Sequence, residues 1–83
     1  MKVLFFASLR EKLGRDAEEL DLPAGVATVA ALRSHLRGRG GVFESSFSEK
    51  ILLRVAVNQD MVQPTAAVKA GDEVAFFPPV TGG

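Results

Sequence analysis

The spacing of apolar residues along this chain changes repeatedly, and each change predicts an element. Lys2 to Ala7 is a short apolar run with two aromatics, which reads as a strand. Ser8-Leu9-Arg10-Glu11 has the form of a capping box, with Ser8 as N-cap and Glu11 reaching back. Leu9 and Leu13 then share one face of a brief helix that Gly14 ends. From Glu18 to Leu22 the pattern alternates, Leu20 and Leu22 on one side and Glu19 and Asp21 on the other, as in a half-buried strand. Pro23-Ala24-Gly25 breaks it; whether these first two strands pair antiparallel is left open. Thr28 is placed to cap the main helix, whose apolar stripe is Val29, Leu32 and Leu36. "GRGG" at 38–41 closes that helix.

The pattern is weakest from Val42 to Lys50, where Phe43 and Phe47 stand one helical turn apart. Ile51 to Val57 predicts a strand, Asn58-Gln59-Asp60 a turn, and Met61-Val62 a brief pairing segment. Lys69-Ala70-Gly71-Asp72 is a second turn, and Glu73 to Phe77 is the last strand. One long helix among several strands implies an α+β domain, with the helix packed across one face of a sheet.

Alternation also assigns faces, because successive strand side chains point opposite ways. Lys2 marks Leu4 and Phe6 as outward and leaves Val3, Phe5 and Ala7 inward. Arg54 marks Leu52 and Ala56 as outward, with Leu53, Val55 and Val57 inward. Glu73 marks Ala75 and Phe77 as outward, with Val74 and Phe76 inward. Phe6 and Phe77 therefore fall together on the face without the helix, the kind of apolar patch that marks an interaction site.

Composition narrows the function classes. The 83 residues suffice for one domain, and 47% apolar content supplies a core. Ten basic and ten acidic side chains cancel, which leaves no electrostatic footprint for nucleic acid. No cysteine is present, so thiol catalysis, thiolate metal sites and redox chemistry within the chain are excluded. The apolar run from Val3 to Leu9 is followed at once by charge and has no cleavage-site pattern, and no run approaches a membrane span. The expectation is a cytoplasmic protein that binds neither membrane nor nucleic acid.

Internal catalytic groups are scarce. His35 is the single histidine and sits on the main helix between arginines. Arg33, Arg37 and Arg39 read as a solvated helix face and end that suits the helix dipole. None of the five serines lies in a nucleophile motif, and "GRGG" lacks the Lys-Ser/Thr of a phosphate-binding loop. What remains is the α-carboxylate of Gly83. A carboxylate is a poor electrophile until ATP converts it to an acyl adenylate, whose acyl carbon then accepts sulfur or an amine. Glycine at 82 and 83 lets the backbone pass a slot too narrow for a Cβ, and Pro78 and Pro79 restrict the approach.

"DEVAFFPPVTGG" (Asp72 to Gly83), "KVLFFASLRE" (Lys2 to Glu11) and "AVNQ" (Ala56 to Gln59) resemble the family of molybdopterin synthase small subunits. The resemblance implies a ubiquitin-like β-grasp: a mixed sheet with one main helix on one face over residues 1–77, and a flexible, extended C-terminal tail over 78–83. It implies that Gly83 is the reactive residue. A ubiquitin-activating-like adenylyltransferase would use ATP to adenylylate Gly83, while the chain itself binds no cofactor or metal. A sulfur donor such as a cysteine desulfurase or rhodanese-type protein would then give a thiocarboxylate. That sulfur would pass to precursor Z (cyclic pyranopterin monophosphate) to form the molybdopterin dithiolene. The chain would be the non-catalytic sulfur-donor subunit of a sulfurtransferase, two copies joining two large subunits in a heterotetramer. Phe6, Phe77, Pro78, Pro79, Val80, Thr81 and Gly82 would contact the partner. Three other readings share parts of this pattern: a thiamine-pathway sulfur carrier, a ubiquitin-like protein modifier, and an interaction module with an inert tail.

Overall fold

The computed structural model describes residues 1–79. Within them the elements run β1 (Lys2–Phe5), α1 (Ser8–Leu13), β2 (Ala17–Glu19), α2 (Val29–Arg37), α3 (Val42–Ser46), β3 (Arg54–Val57), β4 (Asp60–Val62) and β5 (Glu73–Phe77). The strands form one mixed sheet in the order β2-β1-β5-β3-β4. β1 and β5 are parallel at its centre, Lys2 opposite Glu73 and Phe5 opposite Phe76. The other neighbours are antiparallel. No helix among the described residues is long and apolar enough to cross a membrane.

α2 forms where predicted. Thr28 is extended and its Oγ1 accepts from Ala31 N–H at 3.1 Å. The preceding helical amides would lack partners, but Val29 N–H donates to Ala66 and Ala30 N–H to Pro64 at 3.0 and 2.9 Å. The loop at 64–68 thus ties the helix start to the sheet. Val29, Leu32 and Leu36 are buried against Val3, Phe5, Val55, Val74 and Phe76. Phe43 and Phe47 do occupy a helical turn: Phe47 closes α3 and is fully buried, edge-on to Phe76 with ring centroids 5.3 Å apart. Between β3 and β4 the loop is Asn58-Gln59, both with positive φ, as a tight two-residue hairpin demands.

Several boundaries differ from the sequence reading. β2 is Ala17–Glu19, not Glu18–Leu22. Pairing with β1 decides its extent, and Leu20 closes the ladder through reciprocal backbone bonds with Met1 at 3.0 Å. Leu20 and Leu22 still pack on the core, so the alternation reported burial rather than strand. β3 begins only at Arg54, because Ile51 turns back to bond Ser48 at 2.9 Å. The predicted capping box is absent: Ala7 is the N-cap of α1, no side chain caps it, and Ser8 is already helical. Ala7, expected inward at the end of the first strand, is exposed and has φ 53°.

The arginines also depart from a solvated face. Arg33 reaches back across the domain and donates to the carbonyls of Phe47, Ser48 and Ile51. It thereby clasps the irregular segment that leads from α3 into β3. Burial draws its pKa down from the usual arginine value, though it stays protonated. Arg39 and Arg15 both donate to Glu18, and the Arg39 guanidinium lies 4.9 Å over the Phe43 ring. That group joins β2 to the end of α2 and to α3. Arg37 and Arg39 are both exposed, as expected, but Arg39 is engaged by Glu18.

Candidate docking face

The sheet has one face covered by α2 and one without it. On the second, the pleat sets Leu4 in register with Ala17 and Ala75, Ala75 with Ala56, and Ala56 with Met61. This row of apolar side chains crosses the sheet from edge to edge. Ala56 has the outward parity expected but is only 8% exposed, between its register partners. Beyond the row, at one end, lie Phe6 and Phe77. Phe6 is 45% exposed and Phe77 half-buried, and their rings meet edge-to-face with centroids 6.3 Å apart at 86°. At the other end Lys2 stands opposite Glu73 and Glu19. Arg54 is in register with Phe77 at the aromatic end.

Phe6 is held from both sides of its peptide. Its N–H donates to Phe76 O at 3.2 Å, and its carbonyl accepts from Leu9 N–H at 3.1 Å. A half-wild aromatic would be a poor anchor; this one starts with its backbone already fixed. The charged end is braced too. Asp72, buried below β5, accepts from the Asn58 amide at 3.1 Å and from Lys69 N–H at 2.9 Å. Asn58 in turn accepts from Glu73 N–H at 3.0 Å. Those bonds, the Asn58 one foremost, hold the Asp72 carboxyl below the usual aspartate range.

Parity reasoning placed Phe6 and Phe77 on this face, and the structure brings them together. Pro78 and Pro79 follow β5 directly and are half-exposed. Val80, Thr81, Gly82 and Gly83 lie outside the described residues. Leu52, expected outward, is 73% exposed, whereas Met61, at 55% exposure, escaped the sequence reading as a feature of an open surface. Three residues of β4 give too little alternation to assign a face; the signal for Met61 was the hairpin loop, whose two residues put it opposite Ala56. His35 is exposed on α2. Among the described residues no group of His, Cys, Asp and Glu side chains has metal-holding geometry. A face of this kind offers a partner shape and apolar area, with charged side chains at its ends.

Comparison with known proteins places this geometry. The ThiS family model matches residues 3–83. The molybdopterin synthase sulfur carrier subunit of Haemophilus influenzae is 48% identical over 83 residues, covering 100% of this chain and 99% of the relative. Among solved structures, the putative molybdopterin converting factor subunit 1 of Pyrococcus furiosus superposes with a TM-score of 0.75 at 34% identity, over 95% of each chain. Small archaeal modifier protein 1 of Haloferax volcanii superposes at 0.73 with 27% identity, again over 95% of each. The ubiquitin-like β-grasp expected from the sequence is thus the fold of the molecule.

Proposed function

The chain belongs to the ThiS family, and from that membership we propose that it is the sulfur-carrier subunit of a molybdopterin synthase. The observation that carries this reading is the full-length identity of 48% to a relative of that name. The chemistry belongs to Gly83. Its carboxylate oxygen attacks the α-phosphorus of ATP in an activating adenylyltransferase, pyrophosphate leaves, and an acyl adenylate forms. A sulfide equivalent from a donor protein attacks the acyl carbon and displaces AMP, leaving a thiocarboxylate. In the synthase the thiocarboxylate sulfur bonds to a carbon of the pyranopterin precursor as a carbon–oxygen bond there breaks, the oxygen leaving with the electron pair as water or as a freed phosphate oxygen. Water then cleaves the acyl–sulfur bond and restores the carboxylate. A dithiolene holds two sulfurs, so two such deliveries complete it, which suits a complex of two carriers with two large subunits. Phe6 and Phe77, with Pro78 and Pro79 beside them, are the docking surface for the large subunit, and Val80 to Gly82 carry the reactive end into it.

The test is the intact mass of the protein after incubation with the activating enzyme, ATP and a sulfur donor. Exchange of one oxygen for sulfur at Gly83 is expected, with none on a variant lacking Gly83. That variant's carboxylate stops short by one residue, about 3.3–3.6 Å of extended chain, where misplacement by about 1 Å can already cost around 100-fold in rate. An unchanged mass on the full chain would overturn the proposal. The likeness to an archaeal modifier protein supports a second reading, in which the same acyl adenylate is passed to lysines of other proteins. Conjugates of high mass that survive denaturant and reductant would favour it.

A further inference from the structure

Two turns in this molecule share one backbone geometry. At the start of α1, Ala7 has φ 53° and ψ −128°, and Leu9 N–H donates to Phe6 O at 3.1 Å. At the start of α3, Gly41 has φ 56° and ψ −133°, and Phe43 N–H donates to Gly40 O at 3.1 Å. Both are type II′ turns, whose second residue is the position that glycine fills without steric cost. The turn before α3 has its glycine. The turn before α1 holds an L-residue where a Cβ strains the backbone.

A side chain kept where it costs stability calls for a use, and the fold makes none of this one. Ala7 is exposed and stands outside the hydrophobic core. It caps α1 through its backbone alone: no side-chain bond is made, and Glu11 N–H reaches its carbonyl at 3.2 Å as it would reach a glycine's. What distinguishes the residue is its place. It directly follows Phe6, whose amide is fixed to β5 and whose ring meets Phe77. We infer that Ala7 is a contact residue of the docking face, its methyl group displayed beside Phe6 to enter a small apolar recess of the partner subunit. This rests on the reading of Phe6 and Phe77 as that docking face. The side chain serves the complex, and the free domain carries the strain.

Purified large synthase subunit, titrated with wild-type chain and four variants, tests this, with melting temperatures read on the same samples. Ala7→Gly is expected to melt about 4–8 °C higher as the strain is relieved. It should bind about three- to fivefold more weakly, the worth of one buried methyl. Gly41→Ala is the mirror control: a Cβ there meets nothing within 4 Å, so only the backbone strain is added. It should melt lower by a similar amount and bind as wild type does. The double variant should then melt near wild type and still bind weakly. An Ala7→Gly chain that melts higher but binds as tightly as wild type overturns the inference, and so does one that melts lower. Phe77→Asp separates the two layers of the claim. If it binds normally, the docking-face reading falls and this inference with it; if it binds weakly while Ala7→Gly does not, only the role of Ala7 falls.

Discussion

Phe5 and Phe6 are neighbours in the chain, as are Phe76 and Phe77, yet the sheet sends the members of each pair to opposite faces. Phe5 and Phe76 are 0% and 1% exposed and close with Phe47 into an edge-to-face cluster beneath α2. Phe6 and Phe77 form an edge-to-face pair of nearly the same geometry with one side open to solvent. The side chains are identical and the backbones adjacent, so the difference lies in what covers each face. The lesson is that aromatic content along a strand says little until parity is known. A residue's worth to folding and its worth to binding divide at a single step of the pleat.

The comparison breaks most visibly at β5. Phe76→Ala should destabilise the domain by about 3–5 kcal/mol, as for other buried aromatics, and a denaturant melt measures it. Phe77→Asp should cost the fold only about 1 kcal/mol, the order of one aromatic pair, while weakening large-subunit binding by at least about 2 kcal/mol, as for a hot-spot residue. Should Phe77→Asp unfold the chain and Phe76→Ala spare it, the two faces have been assigned in reverse. Arg33→Met sharpens the contrast from the covered side. It strips charge-assisted bonds from three carbonyls and should cost about 2–3 kcal/mol with binding by the folded fraction unchanged. The smallest effect comes from acid. Arg39, then Arg15, hold Glu18 below its usual range, and Asp72 is lowered by its own hydrogen bonds. A depressed carboxyl contributes stability above its unfolded pKa and loses it as pH falls through the folded value. Melting temperature should therefore be flat near neutrality and fall below about pH 4. Glu18→Gln should remove part of that slope at a cost of about 1 kcal/mol or less at neutral pH.

Where short-range rules govern, the sequence was legible. The bounds of β5, the cap and stripe of α2, and a turn at Asn58-Gln59 follow from alternation, helical spacing and turn chemistry, although Asp60, read into that turn, already opens β4 opposite Val57. The same parity put Phe6 and Phe77 on the open face. What escaped depends on distant partners. The end of β2 is set by β1, and the reach of Arg33 to Ile51 spans 18 positions that no local pattern connects. Glu18 and Arg39 are 21 apart. Ser8 looked like a cap because its spacing to Glu11 was right, but the strained turn at Ala7 had already started the helix. Of the proposed reactive end, Pro78 and Pro79 are described and Val80 to Gly83 are not.

The place of β5 has a consequence for how the molecule comes to exist. This strand, among the last residues of the chain, is the middle of the sheet. Before residue 73 is available the chain can offer only two separate ribbons, β1 with β2 and β3 with β4, and isolated ribbons of this size are marginal in water. Joining β1 to β5 closes a loop of nearly the whole chain, an entropic charge met late and all at once. The domain should therefore fold in one cooperative step, with no N-terminal subdomain to guide it. Its rate should be that of a topology rich in distant contacts rather than of its short local helices. A chain cut before Glu73 is then a pair of unjoined hairpins and not a smaller carrier.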